Sequence, residues 1–242
     1  MIKVLTWNCN GAFRKKWSTI ADLGADLLII QECEDPSMSS DRAYQEWAGV
    51  HHWTGLNKSR GLGVFARNGL MLNRVPIFLD PLELFLPLLI DDKWPLLATW
   101  TKQANSPTFG YIGQVWKFLQ SNREFLRHPG AMLVGDLNSN AKWDVWDRWW
   151  NHTDVVNDLA DTGLRSVYHE HFWEAQGQEQ KPTFYMQRKL NKPHHIDYVF
   201  CGSLWTARDV EIGSPEDWLQ LSDHMPLIAT LELNSKVVIA AA

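Results

Sequence analysis

The sequence predicts a layered α/β protein in which many short strands alternate with helices. Apolar runs that are too short for a typical helix recur along the whole chain, and stretches with helical spacing of apolar residues lie between them. The 242 residues contain no repeat of fixed period, no low-complexity tract and no convincing linker. This pattern predicts one domain over residues 1–235, followed by a disordered tail at 236–242.

The N-terminal part begins with a strand–helix–strand unit. Residues 3–7 and 26–30 are apolar runs typical of buried strands, and residues 13–23 have helical spacing that stops at Gly24. Because crossovers of this kind connect parallel strands, the polar residues that end both strands are expected at one edge of the sheet.

The rest of the chain continues the alternation of strands and helices. Further strands are predicted at residues 50–55, 61–67, 84–90, 94–101, 131–135, 183–185, 195–201, 207–212 and 225–233. Further helices are predicted at residues 40–48, 113–126, 142–150 and 153–159, and a mobile basic loop at 57–61. Elements spread over the whole chain in this way favour helices layered on sheets.

The most informative stretch is residues 131–140, where a buried strand ends in polar residues. The apolar run stops at Gly135, and Asp136, Asn138 and Asn140 follow at alternating positions. Open α/β sheets place their sites at the carboxyl ends of strands, where a carboxylate beside amides can hold a water or a phosphoryl oxygen. A plain polar turn is the alternative, because Asn, Ser and Gly are turn residues.

Composition is that of a soluble globular protein, with 45% hydrophobic and 21% charged residues. No apolar run is long enough for a bilayer and the N-terminus lacks a signal-peptide layout, so we expect a cytoplasmic protein that uses no membrane. Cys9, Cys33 and Cys201 lie at no metal-ligand spacing and are expected to be reduced, mostly buried thiols. The net charge of −5 argues against sequence-independent nucleic-acid binding but is compatible with an acidic metal-dependent nuclease site.

Polar clusters end or begin five of the predicted strands. The clusters are Asn8 with Asn10, Glu32, Asp136 with Asn138, Asp197, and Asp223 with His224. Each alone is compatible with a turn, a solvated strand end, a helix cap or a buried hydrogen-bonded group. Together they form a set of carboxylates, amides and a histidine, whose oxygen ligands favour Mg²⁺ or Mn²⁺ over Zn²⁺. Such ions are typical of phosphoryl chemistry.

The same clusters lie in five segments that resemble a known family. The segments are Thr-Trp-Asn-Cys-Asn-Gly at 6–11, Gln-Glu at 31–32, Gly-Asp-Leu-Asn at 135–138, Ile-Asp-Tyr at 196–198 and Ser-Asp-His-Met-Pro at 222–226. Their order and approximate spacing resemble the endonuclease/exonuclease/phosphatase superfamily, to which DNase I and exonuclease III-type enzymes belong. Thr183-Phe184 is similar to the family's threonine–aromatic segment. The resemblance implies a four-layer α/β sandwich, with two mixed β-sheets packed face to face and helices outside, and a divalent-metal phosphoesterase.

The resemblance also implies a metal site for Mg²⁺ or Mn²⁺. Glu32 matches the principal metal ligand, and Asp223 matches a second acid near the metal. Asn8 and Asn10 match positions near metal and phosphate. Many abasic-site enzymes carry an aspartate where Asn10 stands, so the negative charge around the metal is lower in this chain.

Roles in hydrolysis follow from the same resemblance. Asp136 matches the residue that orients or deprotonates the attacking water, with Asn138 as its amide partner. Asp197 and His224 match the acid–histidine pair that contacts the scissile phosphate. Hydrolysis would then proceed without a covalent intermediate.

Two positions match the family pattern less directly. Tyr111 is the candidate for a phosphate-facing residue in the middle of the chain, with Lys102 or a merely packed aromatic as alternatives. His195 stands where the family often has arginine or lysine, which leaves that phosphate contact without a match.

The motifs leave the substrate open. The first interpretation is a nuclease whose partner is DNA or RNA, with no obligate protein partner. The second is a phosphatase or phosphodiesterase for a small metabolite or lipid head group, and the third is an inactive binding module. Basic residues at 14–16 follow the first motif. On a helix, Trp143, Trp146 and Trp150 would share a face that either packs in the core or stacks on bases.

Overall fold

The structure is a computed structural model that describes residues 1–104 and 106–234, so the predicted tail at 236–242 lies outside the described residues. The strands are β1 (Ile2–Asn8), β2 (Leu27–Cys33), β3 (His51–Asn57), β4 (Arg60–Ala66), β5 (Leu72–Arg74), β6 (Phe85–Ile90), β7 (Trp94–Trp100), β8 (Met132–Asp136), β9 (Arg165–Ser166), β10 (Phe184–Tyr185), β11 (Pro193–His194), β12 (Asp197–Cys201), β13 (Trp205–Ile212) and β14 (Leu227–Leu233). The helices are α1 (Trp17–Ala21), α2 (Arg42–Ala48), α3 (Ile112–Leu126), α4 (His152–Thr162), α5 (Val167–Phe172) and α6 (Pro215–Trp218).

Two sheets of six strands share one topology. The first has the order β13-β14-β1-β2-β4-β3 and the second the order β5-β6-β7-β8-β12-β9. In each sheet the two central strands are parallel, β1 with β2 and β7 with β8. The other strand pairs of the described chain are antiparallel. The small hairpin of β10 and β11 stands apart from both sheets.

Alternating side chains give each central strand two apolar faces. In β1, Val4 belongs to the core between the sheets, whereas Leu5 belongs to a second core on the outer face. In β8, Val134 likewise faces the partner sheet and Leu133 faces outward. Both faces of both sheets are therefore covered, which explains the nearly continuous apolar runs in the sequence.

Helices complete the outer layers of the sandwich. Ile20 of α1, Tyr44 of α2 and Trp218 of α6 pack on the first sheet. Phe118 of α3 and Leu159 of α4 pack on the second. The order helix, sheet, sheet, helix confirms the four-layer α/β sandwich that the resemblance implies.

Residues 142–150 are not the helix that their tryptophan spacing predicts. The chain forms a 3-10 turn over Ala141–Trp143 and then turns and bends as far as α4. The side chain of Asn151 accepts the N–H of Val145 at 2.9 Å, and Asp144 accepts the N–H of His152 at 2.9 Å. These side chains bind backbone groups in a non-helical arrangement that competes with the helix.

Smaller differences concern short elements. The helix predicted over 13–23 is divided into a 3-10 turn and α1, because Lys16 takes a non-helical φ of −124°. The basic loop predicted at 57–61 is a tight hairpin whose Arg60 already begins β4. Five short elements were not predicted, because none is long enough to show an apolar period: α5, α6, β5, β9 and β11.

The three cysteines are buried and free, as predicted. Burial raises the pKa of Cys201 to about 12, and burial also raises the pKa of Cys9 and Cys33 above the usual range, so these thiols stay protonated. Among the described helices, none combines the length and the apolar character that crossing a membrane would require.

Candidate active site

The ends of several strands meet at one edge of the sandwich. Because β1 and β2 are parallel, Asn8 at the end of β1 lies beside the Gln31–Glu32 end of β2. The antiparallel register of β8 and β12 places Asp197 directly opposite Asp136. Sequence positions far apart along the chain therefore converge, as the resemblance predicts.

Gly135 explains how Asp136 is delivered to this edge. Its φ is +149°, and a Cβ atom at this position would lie 1.8 Å from the carbonyl oxygen of Thr99 in β7. The neighbouring strand thus approaches too closely for any side chain, so the turn from β8 into the site requires glycine.

Asp136 is fully buried at the centre of the site. Its Oδ1 accepts the backbone N–H of Asn138 at 2.8 Å, and its Oδ2 accepts the side-chain amides of Asn138 at 3.0 Å and of Asn8 at 3.1 Å. The same amide of Asn138 also donates to the carbonyl oxygen of Thr101 at 3.0 Å. The carboxylate is therefore held in one orientation by three donors from two segments, the end of β1 and the chain after β8.

His224 and Asp197 form a buried acid–histidine pair. Nδ1 of His224 lies 2.9 Å from Oδ2 of Asp197, and Nε2 lies 4.0 Å from Oδ2 of Asp136. Thr183 aligns the acid, because its hydroxyl oxygen accepts the backbone N–H groups of Ile196 and Asp197 at 3.0 and 3.1 Å. Oδ1 of Asp197 is buried and has no hydrogen-bond partner among the described residues.

Two carboxylates in one buried pocket control the charges of this centre. Burial, and then the charge of Asp197, raise the pKa of Asp136 to about 7. Burial alone would lower the pKa of His224, but the charge of Asp197 and its hydrogen bond outweigh it and raise that pKa to about 9. The imidazole is therefore a cation at neutral pH that can donate a hydrogen bond through Nε2.

An open cavity of about 660 Å³ lies over this centre. Seven of the nine predicted site residues line it, and they are Asn8, Asn10, Glu32, Tyr111, Asn138, Asp223 and His224. The other two, Asp136 and Asp197, lie buried behind the lining and are bonded to Asn8, Asn138 and His224. The structure thus brings the whole predicted set to one place.

Four of the predicted site residues in the lining have a backbone conformation that non-glycine residues rarely adopt. The φ angles are +53° for Asn10, +63° for Glu32, +54° for Tyr111 and +45° for Asn138. Glu32 stands at a bulge where the pairing of β2 with β4 shifts. Unfavourable backbone conformations and bulges concentrate at functional sites, where they direct side chains into a cavity.

The candidate metal ligands on the cavity wall offer oxygen atoms. Asn8 donates from its amide to Glu32 at 3.4 Å, and Asn10 donates to Asp223 at 2.6 Å. Arg60 forms an ion pair with one oxygen of Glu32. Carboxylate and amide oxygens on an open wall fit a hard divalent cation, and Glu32 and Asp223 are the acids that would hold it.

A second geometry for a metal involves the buried centre itself. Ligand atoms of Asp136, Asp197 and His224 lie within 4.8 Å of one another. Apart from Oδ1 of Asp197, their carboxylate oxygens already bond to His224 or to neighbouring amides, and His224 carries a proton where a metal would need a lone pair. The wall around Glu32 is therefore the better match for a cation.

The less direct candidates differ in position. Tyr111 is 46% exposed and lines the cavity, so it is not a packed aromatic. Lys102 also lines the cavity, with its ammonium 4.8 Å from the ring of Trp100. His195 is buried, binds the carbonyl oxygen of Lys181 through Nδ1 at 2.9 Å and is not part of the lining.

Arg60 carried little sequence signal for a place in the site, whereas Ser222 lies in the Ser-Asp-His-Met-Pro segment. Arg60 pairs with Glu32 only because β2 and β4 are neighbours. Ser222 donates to the carbonyl oxygen of Asn8 at 2.7 Å and accepts the N–H of His224 at 3.0 Å. Lys16, one of the basic residues at 14–16, is structural, because its ammonium donates to the carbonyl oxygens of Cys9 and Leu221.

Comparison with known proteins gives an independent view of this arrangement. Among solved structures, the chain is similar to NExo, a 3′ phosphatase from Neisseria bound to a product DNA hairpin, with a TM-score of 0.68, 18% identity, and 96% and 100% of the two chains covered. An AP endonuclease from Archaeoglobus fulgidus gives a TM-score of 0.65 at 16% identity, with 96% and 100% covered. A humanized D. rerio TDP2 gives 0.64 at 13%, with 96% and 98% covered. At these identities the likeness establishes the fold, the DNase I-like sandwich.

A search of curated protein sequences finds no match to the chain. The model of the endonuclease/exonuclease/phosphatase family matches residues 5–224, which includes every residue of the cavity wall and of the buried centre. The match extends from the first strand to the histidine of the acid–histidine pair. The chain therefore belongs to the endonuclease/exonuclease/phosphatase family, a family of phosphoesterases.

Proposed function

We propose that the protein is a nuclease: a phosphodiester hydrolase that depends on Mg²⁺ or Mn²⁺ and acts on nucleic acid. One observation carries the proposal above the others. The Asp197–His224 pair lies 2.9 Å apart and 4.0 Å from Asp136, at the base of a cavity whose wall offers carboxylate oxygens. This combination supplies a proton acceptor, a charged hydrogen-bond donor and a cation site around one position.

Each side chain of the centre has a role that follows from its charge. Asp136, with a pKa of about 7, can orient a water and accept its proton, and Asn138 keeps the carboxylate in place. His224 donates from Nε2 to a phosphate oxygen as negative charge develops there. Asp197 is a positioning residue, since it holds the imidazole through Nδ1. A divalent cation held by Glu32 and Asp223 would neutralise charge on the phosphoryl and leaving oxygens.

The shape and lining of the cavity favour a polymeric substrate. The cavity is open, and its wall includes the cations Arg60 and Lys102 and the rings of Trp100 and Phe184. Cations beside aromatic rings are what a nucleic-acid strand contacts. Two of the similar structures are described as a 3′ phosphatase bound to a DNA hairpin and as an AP endonuclease, which supports the same substrate class.

A substrate panel tests the proposal. We expect Mg²⁺- or Mn²⁺-dependent hydrolysis of the phosphodiester bonds of at least one of single-stranded DNA, duplex DNA with an abasic site, or RNA. Chelation should abolish the activity. Hydrolysis of only small phosphomonoesters would favour a metabolite phosphatase, and no hydrolysis of any phosphoester would favour an inactive binding module.

Variants connect the activity to the proposed cation site. Glu32→Gln removes one carboxylate charge from the cavity wall, and we expect a loss of roughly 100-fold or more that higher metal concentration partly restores. The matched control is Asp161→Asn on the exposed side of α4, which should keep the parent activity. Equal activity and equal metal dependence in Glu32→Gln and Asp161→Asn would contradict the assignment of Glu32.

A further inference from the structure

Residues 141–150, named here the tryptophan loop, hold large apolar rings in solvent. Trp143 is 42% exposed, Trp149 is 65% exposed and Trp146 is 95% exposed. Contiguous exposed apolar surface on a soluble protein commonly marks a binding site. The tryptophan loop follows shortly after Asn138, which lines the catalytic cavity.

The tryptophan loop is built to keep these rings exposed. The side chain of Asn151 accepts the N–H of Val145 at 2.9 Å and donates to the carbonyl oxygens of Val145 and Arg148 at 2.9 and 2.8 Å. Asp144 accepts the N–H groups of His152 and Thr153 at the start of α4. Side-chain hydrogen bonds therefore order the tryptophan loop, and Trp146 is exposed in a defined loop conformation.

One end of the tryptophan loop is continuous with the catalytic cavity through a row of rings. The ring centroid of Trp143 lies 5.0 Å from that of His194, His194 lies 6.1 Å from Phe184, and Phe184 lies 4.6 Å from His224. Phe184 and His224 both line the cavity. A ligand that leaves the cavity on this side therefore passes along aromatic surface until it reaches the tryptophan loop.

The other end of the tryptophan loop packs at the start of α3. The ring of Trp150 lies 4.6 Å from that of Phe109, and a Cβ atom on Gly113 would lie 3.0 Å from it. Tyr111, between these two positions, lines the cavity. The tryptophan loop thus runs from the β10–β11 hairpin, where Trp143 contacts His194, to the start of α3, where Trp150 contacts Phe109. Both neighbouring segments contribute a residue to the cavity lining, Phe184 and Tyr111.

Cations accompany the rings. The ammonium of Lys142 lies 5.3 Å from the ring of Trp143, and the guanidinium of Arg148 lies 5.6 Å from the ring of Trp150. Of the two acids in the tryptophan loop, Asp144 is engaged in capping α4. Rings with cations beside them fit a ligand that has flat faces and regularly spaced negative charges.

We propose that the tryptophan loop binds the unpaired part of a nucleic-acid substrate, with bases stacked on Trp146 and Trp149 and the chain continuing along Trp143, His194 and Phe184 to the catalytic centre. The inference rests on the proposed nuclease function, and it specifies the substrate class. Stacking requires bases whose faces are free, so a single strand or a frayed end fits and a fully paired duplex does not.

Binding without turnover is the first test, because it does not depend on which bond is cleaved. In an Asp136→Asn background, we expect a labelled thymidine oligonucleotide to bind more tightly than a blunt duplex of equal length. Adding Trp146→Ala and Trp149→Ala should weaken oligonucleotide binding about 10- to 100-fold, since base stacking on an aromatic ring contributes that much per one or two bases. Trp146→Ala alone, at a side chain 95% exposed, guards against a folding defect.

Trp173→Ala is the matched control. Trp173 is 92% exposed and shares no ring contact with another described residue, so the oligonucleotide should bind this variant like the parent. Equal weakening by Trp173→Ala, or no weakening by the double variant, would overturn the proposal. Binding of anionic vesicles that the double variant loses, without any preference for the oligonucleotide, would assign the tryptophan loop to membranes and overturn it as well.

Turnover separates failure of this inference from failure of the proposed function. We expect the double variant to lose kcat/KM for single-stranded DNA about 10- to 100-fold relative to its kcat/KM for bis(p-nitrophenyl) phosphate. If the parent protein hydrolyses neither, the nuclease proposal fails. If the parent hydrolyses both and the variant loses both equally, the nuclease proposal stands and the role of the tryptophan loop fails.

Discussion

Two buried carboxylates near Asn140, those of Asp136 and Glu179, have pKa values that are shifted in opposite directions. Asp136 precedes Asn140 by four residues, and Glu179 accepts the side-chain amide of Asn140 at 3.0 Å. Asp136 is fully buried and the side chain of Glu179 is 3% exposed. Each accepts three hydrogen bonds from neighbouring groups, which makes the difference between them informative.

The electrostatic environment separates the two. Burial raises the pKa of Asp136 and the nearby charge of Asp197 raises it further, to about 7. Burial would also raise the pKa of Glu179, but hydrogen bonds from His169, Asn140 and the N–H of Gly177 outweigh it and lower that pKa to about 2. The lesson is that the number of hydrogen bonds does not distinguish a reactive carboxylate from a structural one, whereas a second carboxylate nearby does.

Glu179 belongs to a structural network behind the catalytic centre. Nε2 of His169 donates to Glu179 at 3.0 Å, and Asn140 also donates to the carbonyl oxygen of His195 at 2.9 Å. The hydroxyl of Tyr198 donates to the carbonyl oxygen of His195 at 3.0 Å and lies 3.1 Å from that of Ser139. The network therefore joins the chain after β8 to the chain before β12, the two segments that carry Asp136 and Asp197.

The largest effect should come from Asp136→Asn. This change removes the proton acceptor, so we expect kcat to fall by roughly 1,000-fold or more. Relief of repulsion with Asp197 offsets the lost hydrogen bonds, so the free energy of unfolding should stay within about 1 kcal/mol of the parent. Steady-state kinetics measures the change in kcat, and urea unfolding measures the change in the free energy of unfolding. A loss of activity that is explained by unfolding would contradict the comparison.

Asp197→Asn should have the next largest effect. The imidazole of His224 loses the charge that keeps it protonated and in place, so we expect kcat to fall about 100-fold while KM changes little. In an NMR titration the pKa of His224 should fall from about 9 toward its ordinary value of 6.5. An unchanged titration of His224 would show that Asp197 does not position it.

Unlike Asp136→Asn, Glu179→Gln should lower the stability of the protein and change its activity little. The substitution keeps the volume but replaces a charged acceptor of three donors, so we expect a loss of about 2–4 kcal/mol in the free energy of unfolding. Activity should stay within roughly 10-fold, because Glu179 touches neither Asp136 nor His224. Glu170→Gln, an exposed acid in the same region, should change neither quantity. A loss of activity well above 10-fold in Glu179→Gln, with the free energy of unfolding unchanged, would contradict the structural role of Glu179.

The smallest expected effect is the pH dependence of the unfolding free energy, which tests the lowered pKa of Glu179. The pKa of Glu179 is lower in the folded protein than its ordinary value of 4.5, so its contribution to stability is fully present above pH 4.5. That contribution is lost as pH falls through about 2. The difference in unfolding free energy between the parent and Glu179→Gln should therefore shrink between pH 4.5 and pH 3. A difference that is constant over this range would contradict the lowered pKa.

Sequence reasoning was accurate where short-range chemistry decides the structure. Apolar runs such as 3–7 and 26–30 form central strands, because two buried faces require continuous apolar residues. The polar residues after these runs lie at one edge, because parallel strands end together. Reasoning from periodicity was wrong for residues 142–150, since Asn151 and Asp144 hold the backbone in a non-helical form that no spacing of tryptophans reveals.

By itself, the sequence determined the layered α/β class, the central strands and the set of acids, amides and histidine that meets at the cavity. Only the tertiary structure decided that Arg60 pairs with Glu32, that Glu179 is a structural acid, and that the tryptophan loop exposes its rings. The physical reason is the range of the interactions. Apolar periodicity acts between neighbours in sequence, whereas a pKa, an ion pair or an exposed ring depends on groups that folding brings from distant parts of the chain.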